Sequence, residues 1–151
     1  MRLETGTPAD LGAWMTLVEQ TAWNFPGLET PEALAEHRQI VLQFMAAGEA
    51  LCAKENGAVA GVLLFSAAHN MICCLAVAPA HRRRGIASAL LRESLARLDR
   101  RRDVTVTTFR EEDECGQAPR ALYQHFGCLP GRPDTEFGSP VQEFVLPAPQ
   151  T

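Results

Sequence analysis

No apolar run in this chain approaches the ~20 residues that a helix needs to span a bilayer, so no membrane-crossing helix is expected. Residues Met1-Arg2-Leu3-Glu4-Thr5 carry an acid and lead into no long apolar stretch, so they do not read as a secretion signal. There is no Cys-x-x-Cys pair, and the five cysteines (Cys52, Cys73, Cys74, Cys115, Cys128) are odd in number. That argues against a disulfide framework and against a zinc cage. Reduced thiols in a cytoplasmic protein are the simpler reading. His37, His69, His81 and His125 lack metal-ligand spacing, so no metal is expected. A formal net charge of −4 argues against a general nucleic-acid binder. The pattern G-x-x-x-x-G-K-[ST] is missing, which excludes a P-loop. No G-x-G-x-x-G follows a strand, which argues against a Rossmann dinucleotide site. Repeats and low-complexity linkers are absent too, and 151 residues suit one domain, 1–151, around one core.

What remains is a globular composition, 46% apolar and 21% charged. Leu3 to Thr5 suggests a short strand. Thr7-Pro8 suits an N-cap followed by a helix-starting proline, with Leu11, Trp14, Met15, Val18 and Trp23 at helical spacing. Asn24-Phe25-Pro26-Gly27 breaks that helix. Thr30-Pro31-Glu32 starts another, which stops near Gly48. Ala50 to Lys54 and Ala58 to Ala67 flank Asn56-Gly57, a strong hairpin signal. Met71 to Val77 is apolar throughout, as expected of a strand buried on both faces, and Pro79 ends it. On such a strand Cys73 and Cys74 face opposite sides. Gly85 to about Arg101 reads as a helix buried along Leu90, Leu91, Leu95 and Leu98, with a Glu93–Arg97 pair outside. Val104 to Phe109 reads as a strand, Pro119 to Phe126 as a short helix, and Val141 to Leu146 as a last strand. The order gives a mixed α/β sheet with helices on both faces.

Charge is unevenly placed. His81-Arg82-Arg83-Arg84 and Arg100-Arg101-Arg102 are basic blocks on an acidic background, which suits a compact anionic ligand. The first block runs into Gly85-Ile86-Ala87-Ser88 at a helix start. A helix start offers about four unpaired N–H groups and a partial positive charge, which suit a phosphate or pyrophosphate. Gly85 has no Cβ to obstruct a ligand. Ala87 and Ser88 keep the first turn narrow, and the Ser88 hydroxyl can donate. The arginines add forked donors. A solvated basic turn capping an ordinary helix is the alternative from these residues alone.

The segment Val77-Ala78-Pro79-Ala80-His81-Arg82-Arg83-Arg84-Gly85-Ile86-Ala87 resembles the acetyl-CoA loop of the GNAT acetyltransferase superfamily, Q/R-x-x-G-x-G/A, filled by Arg82, Gly85 and Ala87. Ala118 to Gly127, with Leu122-Tyr123, resembles the superfamily's second mark in loose form. The likeness runs from about Val59 to Val145. It extends to bacterial members with a Thr-Phe-Arg-Glu segment, here Thr108-Phe109-Arg110-Glu111, and a late Glu-Phe-Gly-x-Pro, here Glu136 to Pro140. The resemblance implies a mostly antiparallel sheet of about six or seven strands with about four helices. It implies transfer of an acetyl group from acetyl-CoA to an amine acceptor, without a metal. The backbone of Leu75, Ala76 and Val77 would pair with the pantetheine arm, and an N–H there would polarise the thioester carbonyl. Arg82, Arg83, Arg84, Gly85, Ile86, Ala87 and Ser88 would hold the pyrophosphate.

Tyr123 is then the candidate general acid, since a phenol with a reference pKa of about 10 is protonated at neutral pH. Packing on an amphipathic helix is its alternative role. An alkyl amine, with a pKa of about 10.4, must lose a proton before attack. Glu111, in the acidic run Glu111 to Glu114, is the candidate base, and Arg110 is a candidate to orient a substrate carboxylate. The family often has an acid on the strand before the loop; Asn70-Met71-Ile72-Cys73-Cys74 has none, which leaves the base open between Glu111 and a water chain. Cys128 stands where the family has Phe and reads as a small core residue. Trp14, Trp23, Phe25 and Phe44 are candidates to wall the acceptor site or to fill the core. A small-molecule or amino-acid-like amine is the first expectation for the acceptor. A protein lysine or N-terminus, or a non-catalytic acyl-CoA-binding domain, are the alternatives. A homodimer is left open.

Overall fold

The Asn56-Gly57 hairpin forms as its residues dictate. Both take positive φ, 51° and 82°, and join β2 (Ala50–Glu55) to β3 (Ala58–Ser66) with the twist that antiparallel strands need. The computed structural model describes residues 1–21, 30–78, 81, 85–109, 122–136 and 139–148. Thr30 caps α2 (Pro31–Ala46), its Oγ1 accepting the Ala33 N–H at 3.1 Å. Thr7-Pro8 opens a 3₁₀ turn, Pro8–Asp10, before α1 (Leu11–Thr21) begins. The Asp10 carboxylate accepts the Thr7 N–H at 3.0 Å and fixes that turn. The expected break at Asn24 to Gly27 lies outside the described residues.

The other strands are β1 (Arg2–Thr5), β4 (Met71–Val77), β5 (Val104–Phe109), β6 (Leu129–Glu136) and β7 (Ser139–Leu146). All seven form one sheet in the order β1-β2-β3-β4-β5-β7-β6. Among the described residues, only β4 and β5 pair in parallel. The expected mixed, mostly antiparallel sheet is therefore present. The reading of the sequence allowed one or two strands after the short helix but did not place β6, whose Pro130, Gly131 and Pro133 resemble a loop. It lies at the sheet edge, where proline's missing N–H need not break a ladder.

Two apolar layers sandwich the sheet. On one side Leu11, Trp14, Leu17, Val18, Val41 and Met45 of α1 and α2 meet Cys52, Val62, Leu64 and Ala76. On the other, α3 (Ile86–Arg97) packs Ile86, Leu90, Leu91 and Leu95 against Leu51, Leu63, Phe65 and Val104. Each such side chain contributes roughly 1.5–3 kcal/mol through burial. The expected stripe Leu90, Leu91, Leu95, Leu98 is buried, and Arg97 Nε lies 3.1 Å from Glu93 on the outer face.

This helix ends at Arg97, not near Arg101. Leu98 turns extended, with φ −98° and ψ 164°. Buried Asn70 accounts for the early stop. Its Oδ1 accepts the Asp99 N–H at 2.8 Å, and its Nδ2 donates to the carbonyls of Asp99 and Asp103 at 2.8 and 2.9 Å. The backbone groups past the helix find partners there instead of in a further turn.

Candidate functional site

The parallel ladder between β4 and β5 is short: Met71 faces Thr105 and Ile72 faces Val106. Beyond that, β5 keeps its register with β7 as far as Phe109↔Val141, and β4 keeps its register with β3 as far as Gly61↔Val77. The two central strands therefore part. A bulge in β4 explains why. Phe65 faces Ile72 and Leu64 faces Cys74, so Cys73 is one residue more than β3 can match. Such an insertion bends and twists its strand. The strand was expected to be buried on both faces. Instead Cys73 is exposed, and Leu75 and Val77 are half-buried, because β5 no longer flanks them. Leu75 and Val77 lean on the α3-side core, while Cys74 and Ala76 lie on the α1/α2 side. Among the described residues, Leu75, Ala76 and Val77 have strand partners in β3 and none in β5.

The start of α3 sits beside this opening. Gly85 caps it at φ 74° and ψ 12°, a left-handed conformation costly for any residue with a Cβ. The Ala89 N–H closes the first turn on the Gly85 carbonyl at 3.0 Å. Among the described residues, the amides of Ile86, Ala87 and Ser88 have no acceptor, and no side chain caps the helix. The Ile86 side chain is in the core, and Ala87 and Ser88 are half-buried. Gly61 of β3 sets the helix close to the sheet. A Cβ there would lie 2.7 Å from Ile86 Cγ2 and 3.0 Å from Leu90 Cδ1. Gly61 is also the partner of Val77, which puts the helix start over the end of β4.

The chain leaving β4 is tied back to the β2–β3 hairpin. The Ala78 N–H donates to the Ala60 carbonyl at 2.8 Å, and the His81 N–H to the Ala78 carbonyl at 2.9 Å. The His81 ring Nδ1 lies 3.0 Å from Glu55 Oε2. Arg82, Arg83 and Arg84, expected at the phosphate position, lie outside the described residues, as does Pro79.

Tyr123 lies in the helical turn at 122–125, which Gly127 (φ 89°) closes. Its carbonyl accepts the Cys128 N–H at 2.9 Å, and its ring packs at 6.0 Å from that of Phe144. Burial, then the neighbouring Cys74 and Cys128, push its pKa well above the ordinary phenol value. The Cys74 thiol is pushed to about 12 by burial and then by Cys73. The buried phenol is thus coupled electrostatically to Cys74, just past the β4 bulge. The expected core role of Cys128 holds, since it is buried.

Glu111, with Arg110 and the rest of 110–121, lies outside the described residues, and so do Trp23 and Phe25. Trp14, a candidate wall of the acceptor site, is fully buried in the α1/α2 core, and Phe44 packs against that core half-buried. Among the described residues, no group of three or more His, Cys, Asp or Glu side chains could hold a metal ion. No helix of the described residues is long and apolar enough to cross a membrane. The bulge at Cys73, the Gly61 contact and the Glu55–His81 pair escaped the reading of the sequence. Gly61 carried a signal: an isolated glycine within a strand marks a close backbone approach.

The sheet thus parts beside a helix start whose first amides have no acceptor among the described residues. Comparison with known proteins agrees in kind. The profile of the Acetyltransferase (GNAT) family matches residues 14–128. The chain belongs to that family. No curated protein matches it in sequence. Solved structures share its fold at low identity. A GNAT-family acetyltransferase from Bacillus cereus superposes with a TM-score of 0.76 at 16% identity, covering 99% of this chain and 98% of that one. A ribosomal-protein-alanine N-acetyltransferase from Brucella melitensis gives 0.76 at 19%, covering 97% and 99%. The PaiA N-acetyltransferase of Thermoplasma acidophilum, solved in complex with coenzyme A, gives 0.70 at 14%, covering 94% and 96%.

Proposed function

We propose that this chain is an acetyl-CoA-dependent N-acetyltransferase acting on a primary amine of a small or amino-acid-like acceptor. The parting of β4 from β5 beside the start of α3 carries this reading. A pantetheine arm carries amides that can pair with an exposed strand edge, so it takes the place of an extra strand along Leu75, Ala76 and Val77. A β4 N–H in that stretch polarises the thioester carbonyl and stabilises the tetrahedral oxyanion. The pyrophosphate rests on the amides of Gly85, Ile86, Ala87 and Ser88, with Arg82, Arg83 and Arg84 adding charge.

The acceptor nitrogen attacks the thioester carbon, the C–S bond breaks, and the thiolate leaves with the electron pair. Tyr123 gives that sulfur its proton. A raised phenol pKa makes donation to a thiolate of ordinary basicity uphill, since a free thiol titrates at about 8.5. The same burial supplies the remedy. Cys74, a thiol in this region, is itself raised to about 12. A thiolate formed beside the buried phenol is held in the same desolvating surroundings, which raise its basicity and favour the transfer. The amine's proton goes to Glu111, which follows the end of β5 by two residues, or through water to solvent.

Thermal denaturation with and without acetyl-CoA tests the binding half. At a ligand concentration of about 100 Kd the folded state gains about 2.7 kcal/mol. The midpoint should rise by about 5–10 °C, and no rise at millimolar acetyl-CoA refutes the assignment. Thiol release with a panel of amines, amino acids and peptides beginning with alanine then tests catalysis and the acceptor class. Binding without thiol release from any acceptor would favour a non-catalytic acyl-CoA-binding domain.

A further inference from the structure

We propose that Glu55 and His81 are a positioning pair that holds the start of the pyrophosphate loop in its binding conformation. The inference rests on the acetyl-CoA reading above and adds two residues that contact the loop's root, not its ligand.

The two side chains come from positions 26 apart in sequence and meet at 3.0 Å, Nδ1 to Oε2. Their exposures are low for such polar groups, 25% for His81 and 16% for Glu55. Glu55 is the last residue of β2, at the rigid Asn56-Gly57 turn. The same hairpin holds the loop root through the Ala60 carbonyl and holds the helix start through Gly61. Three residues, 82–84, separate the His81 anchor from Gly85. An anchor at His81, four residues before Gly85, restricts where the helix start can lie before an anion binds. The amides of Ile86, Ala87 and Ser88 are then directed before the ligand arrives, and preorganisation of this kind appears as affinity.

The test measures CoA binding by calorimetry and pantetheine binding by ligand-observed NMR. Glu55→Ala, His81→Ala, the double variant and His81→Asn are compared with the intact chain. Glu55→Ala and His81→Ala should each weaken CoA about tenfold, the scale of one hydrogen bond with a charged partner. The double variant should lose less than the sum of the two singles, since the Glu55–His81 interaction is counted in both. His81→Asn, which keeps a donor near the Nδ1 position, should recover most of the loss. Pantetheine lacks the pyrophosphate, so its binding should change by less than about twofold. A merely destabilised fold would weaken both ligands alike, and that result overturns the pair. Unchanged or tighter CoA binding in His81→Ala, a half-exposed turn position that tolerates truncation, overturns the pair and leaves the transferase reading standing. Failure of the intact chain to bind CoA removes both.

Discussion

Replacing Gly61 by Ala tests whether a strand–helix contact sets the proposed CoA site. Gly61 is not at positive φ, so alanine meets no backbone obstacle. The obstacle is space. The added methyl would sit 2.7 Å from Ile86 Cγ2, 3.0 Å from Leu90 Cδ1 and 3.4 Å from the Ala76 carbonyl oxygen. Carbon atoms pack at about 3.5–4.0 Å, so the first turn of α3 must lift by roughly 1 Å. Overpacking of this kind costs about 1–3 kcal/mol. Loss of glycine's freedom in the unfolded chain returns about 0.4–1 kcal/mol. The net destabilisation is about 1–2 kcal/mol, or about 2–8 °C in the melting midpoint for a chain of this size. CoA affinity should fall with it, because the lifted turn is the one that carries the amides of Ile86 to Ser88. Ile86→Ala alone opens a cavity and costs about 2–5 kcal/mol. In Gly61→Ala/Ile86→Ala the new methyl enters that cavity, so the double variant should be more stable than the sum of the singles by about 0.5–3 kcal/mol. Calorimetric melting and CoA titration of the four proteins form the assay. Strict additivity, or a Gly61→Ala protein with native midpoint and native affinity, refutes the argument that this contact places the helix.

Tyr123→Phe should lower turnover by about 10²-fold or more, the usual contribution of a general acid, while acetyl-CoA affinity stays near native; equal turnover across pH removes Tyr123 from the chemistry. Asn70→Ala removes three hydrogen bonds that fix residues 99 to 103 and should cost about 3 kcal/mol, a drop in melting midpoint of about 6–12 °C; a loss below 1 °C would show that water replaces them. Burial holds the His37 pKa below its ordinary value, and its Nε2 is buried without a partner. The unfolded chain therefore takes up the proton first. This stabilising contribution is complete above about pH 6.5 and is lost as pH falls below that value. The urea midpoint of the native chain should fall more steeply between about pH 7 and 5 than that of His37→Leu, and parallel slopes refute the burial argument.

Local chemistry made most of the fold readable. The Asn56-Gly57 turn, the Thr30-Pro31 helix start and the Leu90-Leu91-Leu95-Leu98 stripe each follow from interactions within a few residues. The points where reading failed depend on distant partners. The end of α3 is set by Asn70, which lies 29 residues before Asp99 and carries no mark of that role. The β6 strand hides behind two prolines that only an edge position permits. In the site, the glycine cap and the uncapped amides were legible, because helix-end chemistry is written in consecutive residues. The β4 bulge was not. Every residue from Met71 to Val77 is apolar, so no alternation exists from which a slipped phase could be seen. Tyr123 was found through a motif, but its burial against Phe144 and its coupling to Cys74 arise only in the folded chain.

The extra residue at Cys73 separates two properties that usually change together. Across the bulge, Phe65 and Ile72 belong to one apolar layer, and Leu64 and Cys74 to the other. Deleting the codon for residue 73 would leave each of these side chains in its present layer. The strand would then run straight enough for its parallel neighbour to follow it. Such a deletion would spare the hydrophobic interior and zip the central seam shut. The opening between β4 and β5 therefore hangs on one residue, which a single in-frame deletion removes with no substitution in the core.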